Sequence, residues 1–169
     1  MGLLDSRLAE RAPELMKICE LIFTPPYQVI EGQDGRSRVL SGTIWEEIAG
    51  YRRAVRRGDQ VWIAGTTAVH GDVTIGGNDP WAQTHFIIDK IEGTLQSFGG
   101  SLADVVRTRV YVQDLARWEP VARAHGERFR GILPANTFVQ ASLVGKDYLV
   151  EIDADAILAG EAADLSSRA

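Results

Sequence analysis

The chain has 169 residues, enough for one domain with one core that buries roughly two-thirds of the surface an unfolded chain exposes. Its net charge of −5 and isoelectric point near 5.2 provide no electrostatic footprint for a polyanion, so nucleic acid is excluded as an expected partner. A single cysteine, Cys19, rules out an intrachain disulfide and suits a reducing compartment, which makes the cytoplasm the expected location.

Residues 5 to 22 read as an amphipathic helix, with Leu8, Leu15, Ile18 and Leu21 near one face, charges opposite, and Pro25-Pro26 as its stop. The charged side chains Asp5, Arg7, Glu10 and Arg11 interrupt any signal-peptide apolar region, and no run approaches the roughly 20 apolar residues of a membrane span. No membrane partner is expected. Tyr27 to Ile30 and Arg36 to Leu40 flank Gly32-Gln33-Asp34-Gly35, a composition that suggests a short hairpin.

Tyr51 to Val55, the turn Arg57-Gly58-Asp59 and Gln60 to Gly65 predict a second hairpin, rich in β-branched and aromatic residues. The run Arg52-Arg53-Ala54-Val55-Arg56-Arg57 reads as a solvated edge or subunit contact rather than a phosphate track. Gly71, Gly76 and Gly77 mark loops. Asp79-Pro80 starts a helix, with Asp as N-cap and Pro in its first turn, whose buried stripe is Ile87, Ile91, Leu95 and Phe98 and whose end is Gly99-Gly100. A strand follows over 105 to 113, with Val106, Thr108, Val110 and Val112 on one face and Arg107, Arg109, Tyr111 and Gln113 on the other. Next come a helix from about Ala116 to Arg130 with Trp118, Val121, His125 and Phe129 inward, and strands near 137 to 141 and 148 to 158.

This order suits an α+β layer, two helices covering one face of a mixed sheet. Val61 and Ile63 against Trp62 and Ala64 leave apolar groups on both faces of the hairpin, so a second copy of the chain is the expected cover. His70, His85 and His125 have no metal-ligand spacing, and no metal or other cofactor is expected. No nucleophile elbow or phosphate loop stands in the chain.

From about Val39 to Leu158 the chain resembles the reactive-intermediate deaminase family, also called YjgF or RidA. The resemblance is carried by Ile48-Ala49-Gly50-Tyr51, Val61-Trp62-Ile63-Ala64-Gly65, Gly99-Gly100-Ser101-Leu102-Ala103-Asp104, Val110-Tyr111-Val112-Gln113-Asp114-Leu115 and Leu133-Pro134-Ala135. It implies a chorismate-mutase-like fold, a homotrimer with a central barrel, pockets between subunits, and hydrolysis of enamines and imines to 2-keto acids and ammonia without a cofactor. It divides the chain into an extension at 1–36, the RidA-like domain at 37–158 and a polar tail at 159–169.

The resemblance assigns Glu151 to positioning water and Tyr51 to closing the pocket, and it places Asn136 and Phe138 among the substrate contacts. Asn136 stands where the family has a carboxylate-gripping arginine, and Phe138 where a small or thiol residue is common. An amide cannot form the bidentate charged pair, so the substrate is expected to differ. Each residue has a second reading: Glu151 as a member of a solvated face with Asp153 and Asp155, Tyr51 as a strand aromatic packed at an interface, and Asn136 as a turn residue. Arg107 and Arg109 either replace the lost anchor or pair with acidic neighbours. Two functions stand at this point, a hydrolase or deaminase of an imine, enamine or related small carbonyl derivative, and a non-catalytic module binding a small metabolite. A ribonuclease, a label some relatives carry, is disfavoured by the acidic charge.

Overall fold

The computed structural model describes residues 27–159; the helix expected over 5 to 22, Cys19 and the tail from Gly160 lie outside the described residues. The first hairpin forms as β1 (Gln28–Glu31) and β2 (Ser37–Leu40), paired in antiparallel register from Gln28 with Leu40 to Glu31 with Ser37. β1 thereby joins the same sheet as the rest of the chain. A short helix that the sequence patterns did not reveal, α1 (Ile44–Ile48), follows.

The second hairpin is β3 (Ala54–Arg57) and β4 (Gln60–Thr67), turned at Gly58, whose φ of 62° suits a residue without a side chain. A small hairpin of β5 (Val69–His70) and β6 (Val73–Thr74) occupies the stretch expected to be loop. Then comes α2 (Pro80–Gln96), where the Asp79 carboxylate accepts from the Trp81 and Ala82 backbone N–H groups, a cap contributing about 1 kcal/mol. β7 (Val105–Val112), α3 (Trp118–Arg128), β8 (Ala135–Gln140) and β9 (Val150–Ile157) complete the described chain.

Seven strands form one sheet in the order β1-β2-β3-β4-β9-β7-β8. Only β7 and β8 pair in parallel, across the crossover that contains α3; α2 makes the other crossover, from β4 to β7, which share antiparallel contact with β9. Both helices lie over one face, as the sequence order implies. The core there is Val61 and Ile63 of β4, Val150, Ile152 and Ala154 of β9, and Val110 and Val112 of β7, covered by Ile87, Ile88, Ile91 and Leu95 of α2. Truncating any of the large aliphatic side chains to alanine would cost about 2–5 kcal/mol. Arg128 of α3 ties the helices together by pairing with Asp89 and Glu92 of α2.

Two inward assignments change. β7 carries a bulge, since Val105 pairs with Ala156 while Arg107 already pairs with Asp155; the extra residue turns Val105 inward and leaves Val106 43% exposed. Trp118 is half-exposed because a 3₁₀ turn over Leu115–Arg117 precedes α3 and leaves Trp118 on its first turn, while Val121, His125 and Phe129 are buried as expected. The face away from the helices carries Trp62, 44% exposed, beside a charged row. That row is Glu151, Asp153 and Asp155 of β9 with Arg109 of β7.

Candidate functional site

Asn136 lies on the helix-covered side of the sheet. Its register partner is Thr108, and its side-chain N–H donates to Thr108 Oγ1 at 2.7 Å. Thr108 Oγ1 also hydrogen-bonds with His125 Nε2, 2.9 Å away on α3, and the Asn136 amide nitrogen lies 3.4 Å from the same Nε2. His125 is buried against Phe129, with the Phe138 ring edge-on at 6.3 Å, and burial lowers its pKa to about 4. The imidazole is neutral at pH 7. Asn136 and Phe138 thus belong to one local cluster, joined by a histidine that the sequence patterns had marked only as inward-facing.

Glu151 is on the opposite face. It pairs in register with Thr67 of β4 and Tyr111 of β7, and its carboxylate overlies Gly65 so closely that a Cβ there would stand 2.0 Å from Oε1. This approach depends on a second bulge: Ile63 pairs with Ala154 and Thr66 with Ile152, so β4 buries both Ile63 and Thr66 and bends its Gly65 backbone beneath the acid. Burial pushes the Glu151 carboxyl up, the Asp153 charge pushes it further, and Arg53 pulls it back down. Within one chain, Asn136 and Glu151 do not face each other.

Arg109 is committed to Asp153 at 2.5 Å and Asp155 at 3.0 Å, and the Tyr111 hydroxyl donates to Asp153 at 3.0 Å. Arg107 is exposed at the bulge. Tyr51 borders a separate depression between Arg36, Arg38 and Arg52, away from Glu151. Among the described residues no group of three His, Cys, Asp or Glu side chains is placed to hold a metal ion.

A larger cleft, about 860 Å³, lies between the end of β4, α2 and the loop before β9. Two cations in its wall went unremarked as site residues in the sequence. Arg53, expected on a solvated edge, is 6% exposed. Its backbone N–H donates to the buried Glu46 carboxylate, which also accepts from Ser41 and Gly42, and its Nη1 donates to Thr66 Oγ1 at 2.7 Å. Lys90 of α2 donates to the carbonyls of Thr67 at 3.0 Å and Val69 at 2.9 Å, with burial and then Arg53 lowering its pKa to about 7. The available signal was a lone lysine inside a helix whose neighbours Ile87, Ile88 and Ile91 form the core stripe.

A mixed sheet covered on one side by two helices, with an acid over a glycine bulge on the other, defines a YjgF-like α+β protein. The family model described as endoribonuclease L-PSP matches residues 43–158. The chain is 38% identical over 120 residues to the uncharacterized protein SCO2049 of Streptomyces coelicolor, covering 70% of this chain and 90% of that protein. It is 32% identical over 110 residues to the RutC family protein PYRAB12510 of Pyrococcus abyssi, covering 63% and 85%. The crystal structure of Rv2704 from Mycobacterium tuberculosis, described as a member of the YjgF/YER057c/UK114 family, superposes with a TM-score of 0.66 at 43% identity. It covers 73% of this chain and 99% of that one. The chain belongs to the endoribonuclease L-PSP family, the YjgF/RidA family.

Proposed function

We propose that the protein is a cofactor-independent hydrolase of reactive imines or enamines, working as a homotrimer with its pockets between subunits. The observation that carries this reading is Glu151, a half-buried carboxylate held over Gly65 with its proton affinity raised. A general base is most effective when its pKa is brought towards the working pH, and burial does this here. Glu151 accepts a proton from water as the water oxygen bonds to the imine carbon, and passes that proton to the imine nitrogen to give a carbinolamine. Glu151 then takes the carbinolamine hydroxyl proton and delivers it to the amino nitrogen as the C–N bond breaks, so that the nitrogen leaves as ammonia and the carbonyl product remains.

Asn136 cannot supply the family's charged carboxylate grip, because its amide is already engaged with Thr108. Substrate selection therefore differs from that of arginine-bearing relatives. The test is ammonia release from imines generated in situ, with wild type and Glu151→Gln compared in parallel. The variant retains shape but loses the base, and its rate falls by about 100-fold or more. Equal rates in a folded Glu151→Gln protein would overturn the assignment, as would absence of hydrolysis by wild type across small and bulky imines.

A further inference from the structure

The Arg53 cleft holds a buried guanidinium that no carboxylate of the described residues meets directly. Arg53 is 6% exposed, yet among the described residues no carboxylate forms a salt bridge with it; its guanidinium makes one hydrogen bond, from Nη1 to the neutral Thr66 hydroxyl. No fully enclosed side-chain nitrogen among the described residues lacks a partner, so the remaining Arg53 N–H groups open onto the cleft. Lys90 adds a second cation beside it. Two of its three N–H groups are fixed by the Thr67 and Val69 carbonyls, which leaves one to point elsewhere.

A buried guanidinium that opens onto a cavity and bonds no carboxylate directly is stabilised by an anion that enters the cavity. We propose that this cleft binds the carboxylate of a small monoanionic substrate through Arg53 and Lys90, replacing the anchor that Asn136 cannot provide. Beside these cations the lining holds Lys146, Asp72 and Asp147, and the two acids oppose a dianion such as phosphate more strongly than a carboxylate. The walls supply Tyr27, Trp45, Ile44 and Tyr148, with Trp45 62% and Ile44 69% exposed, a surface suited to an apolar or aromatic side chain. Thr67, the register partner of Glu151, forms part of the wall, and the Arg53 charge acts directly on the Glu151 carboxyl. The substrates are 2-imino acids with a bulky apolar side chain, an assignment that rests on the hydrolase reading only for its chemistry, not for the anion site.

Calorimetric titration with phenylpyruvate, a stable 2-oxo acid, provides the test. Wild type binds it, and Lys90→Met and Arg53→Gln each weaken binding by about tenfold or more. Anion binding restores the charge on Lys90, so near pH 8 wild type takes up protons on binding, measured in buffers of different ionisation enthalpy; Lys90→Met takes up fewer. Tyr27, Glu46, His70, Asp72, Lys146, Asp147, Tyr148 and Glu151 are the other titratable groups around that pair, and all are retained in Lys90→Met. If burial makes Arg53→Gln fail to fold, Lys90→Met alone decides. Absence of phenylpyruvate binding to wild type, unchanged affinity in folded Lys90→Met, or tighter binding of inorganic phosphate than of phenylpyruvate overturns the proposal. Glu151→Gln keeps phenylpyruvate affinity within about threefold while losing hydrolysis. Binding that depends on Lys90, with no hydrolysis by wild type, would sink the hydrolase reading and leave the anion site standing.

Discussion

At the scale of single residues, Gly65 and Glu151 form the most sharply constrained pair. A Cβ at position 65 would meet the far end of a flexible side chain rather than backbone, so Gly65→Ala is tolerated by the fold but displaces the carboxylate. Gly65 does not occupy the left-handed region, and the substitution also restricts the unfolded chain, so stability changes by less than about 1 kcal/mol. The catalytic constant, in contrast, falls by about tenfold or more, because a displacement of an ångström is felt in a positioned base. A thermal melt beside an ammonia-release assay checks both halves; full activity in the folded variant would show that the Glu151 position does not govern the rate. Glu151 entered the candidate site through the motif it completes, and only the fold places it over Gly65 on the face opposite Asn136. Arg53 was hidden in a basic run whose other members are solvated or locally paired, and only the path of the chain around Glu46 shows that this one arginine turns inward.

Among the elements, α2 was fully legible, because Asp79-Pro80 is a local capping signal and its apolar stripe repeats at helical spacing. The β7 faces were legible except at Val106, since a bulge shifts side-chain alternation without leaving a compositional mark. α1 is too short to show a period, and Trp118 was misplaced because a 3₁₀ turn rotates the start of α3. What fastens α3 to the sheet is the chain from Asn136 through Thr108 to His125. This attachment has a pH signature. His125 in the folded protein titrates at about 4, below its unfolded value of 6.5, so between these values the unfolded chain binds more protons and stability rises with pH. Acidification from pH 7 to 4.5 therefore removes on the order of 1–2 kcal/mol through this residue, and the loss levels off below about pH 4. His125→Asn, whose amide can still accept from Thr108, shows a shallower decline in urea midpoint over that window. Parallel declines for the two proteins would assign the acid sensitivity to carboxylates instead.

For the whole molecule, the open sheet face is the surface on which the proposed trimer depends. Trp62 stands 44% exposed on β4, beside the half-exposed Ile157 of β9, while Arg109, Asp153, Asp155 and Tyr111 satisfy one another in an adjoining polar network. A face of this kind, apolar at one margin and hydrogen-bonded elsewhere, suits contact between copies of the chain, with Arg109 offsetting part of the acidic row. The trimer expected from the family places such faces together around a barrel, and the positions of Asn136 and Glu151 on opposite sides of one sheet fit a pocket completed by a neighbour. Light scattering at micromolar concentration is expected to give three times the chain mass. Trp62→Asp introduces an unpaired charge into that contact, beside Asp155 with which Trp62 is in register, and shifts the population to monomer while leaving the helix-side core intact. Far-ultraviolet dichroism would then remain native while imine hydrolysis falls with the trimer fraction. A wild-type chain that scatters as a monomer, or a monomeric Trp62→Asp protein retaining full hydrolysis, would place the whole site within a single subunit.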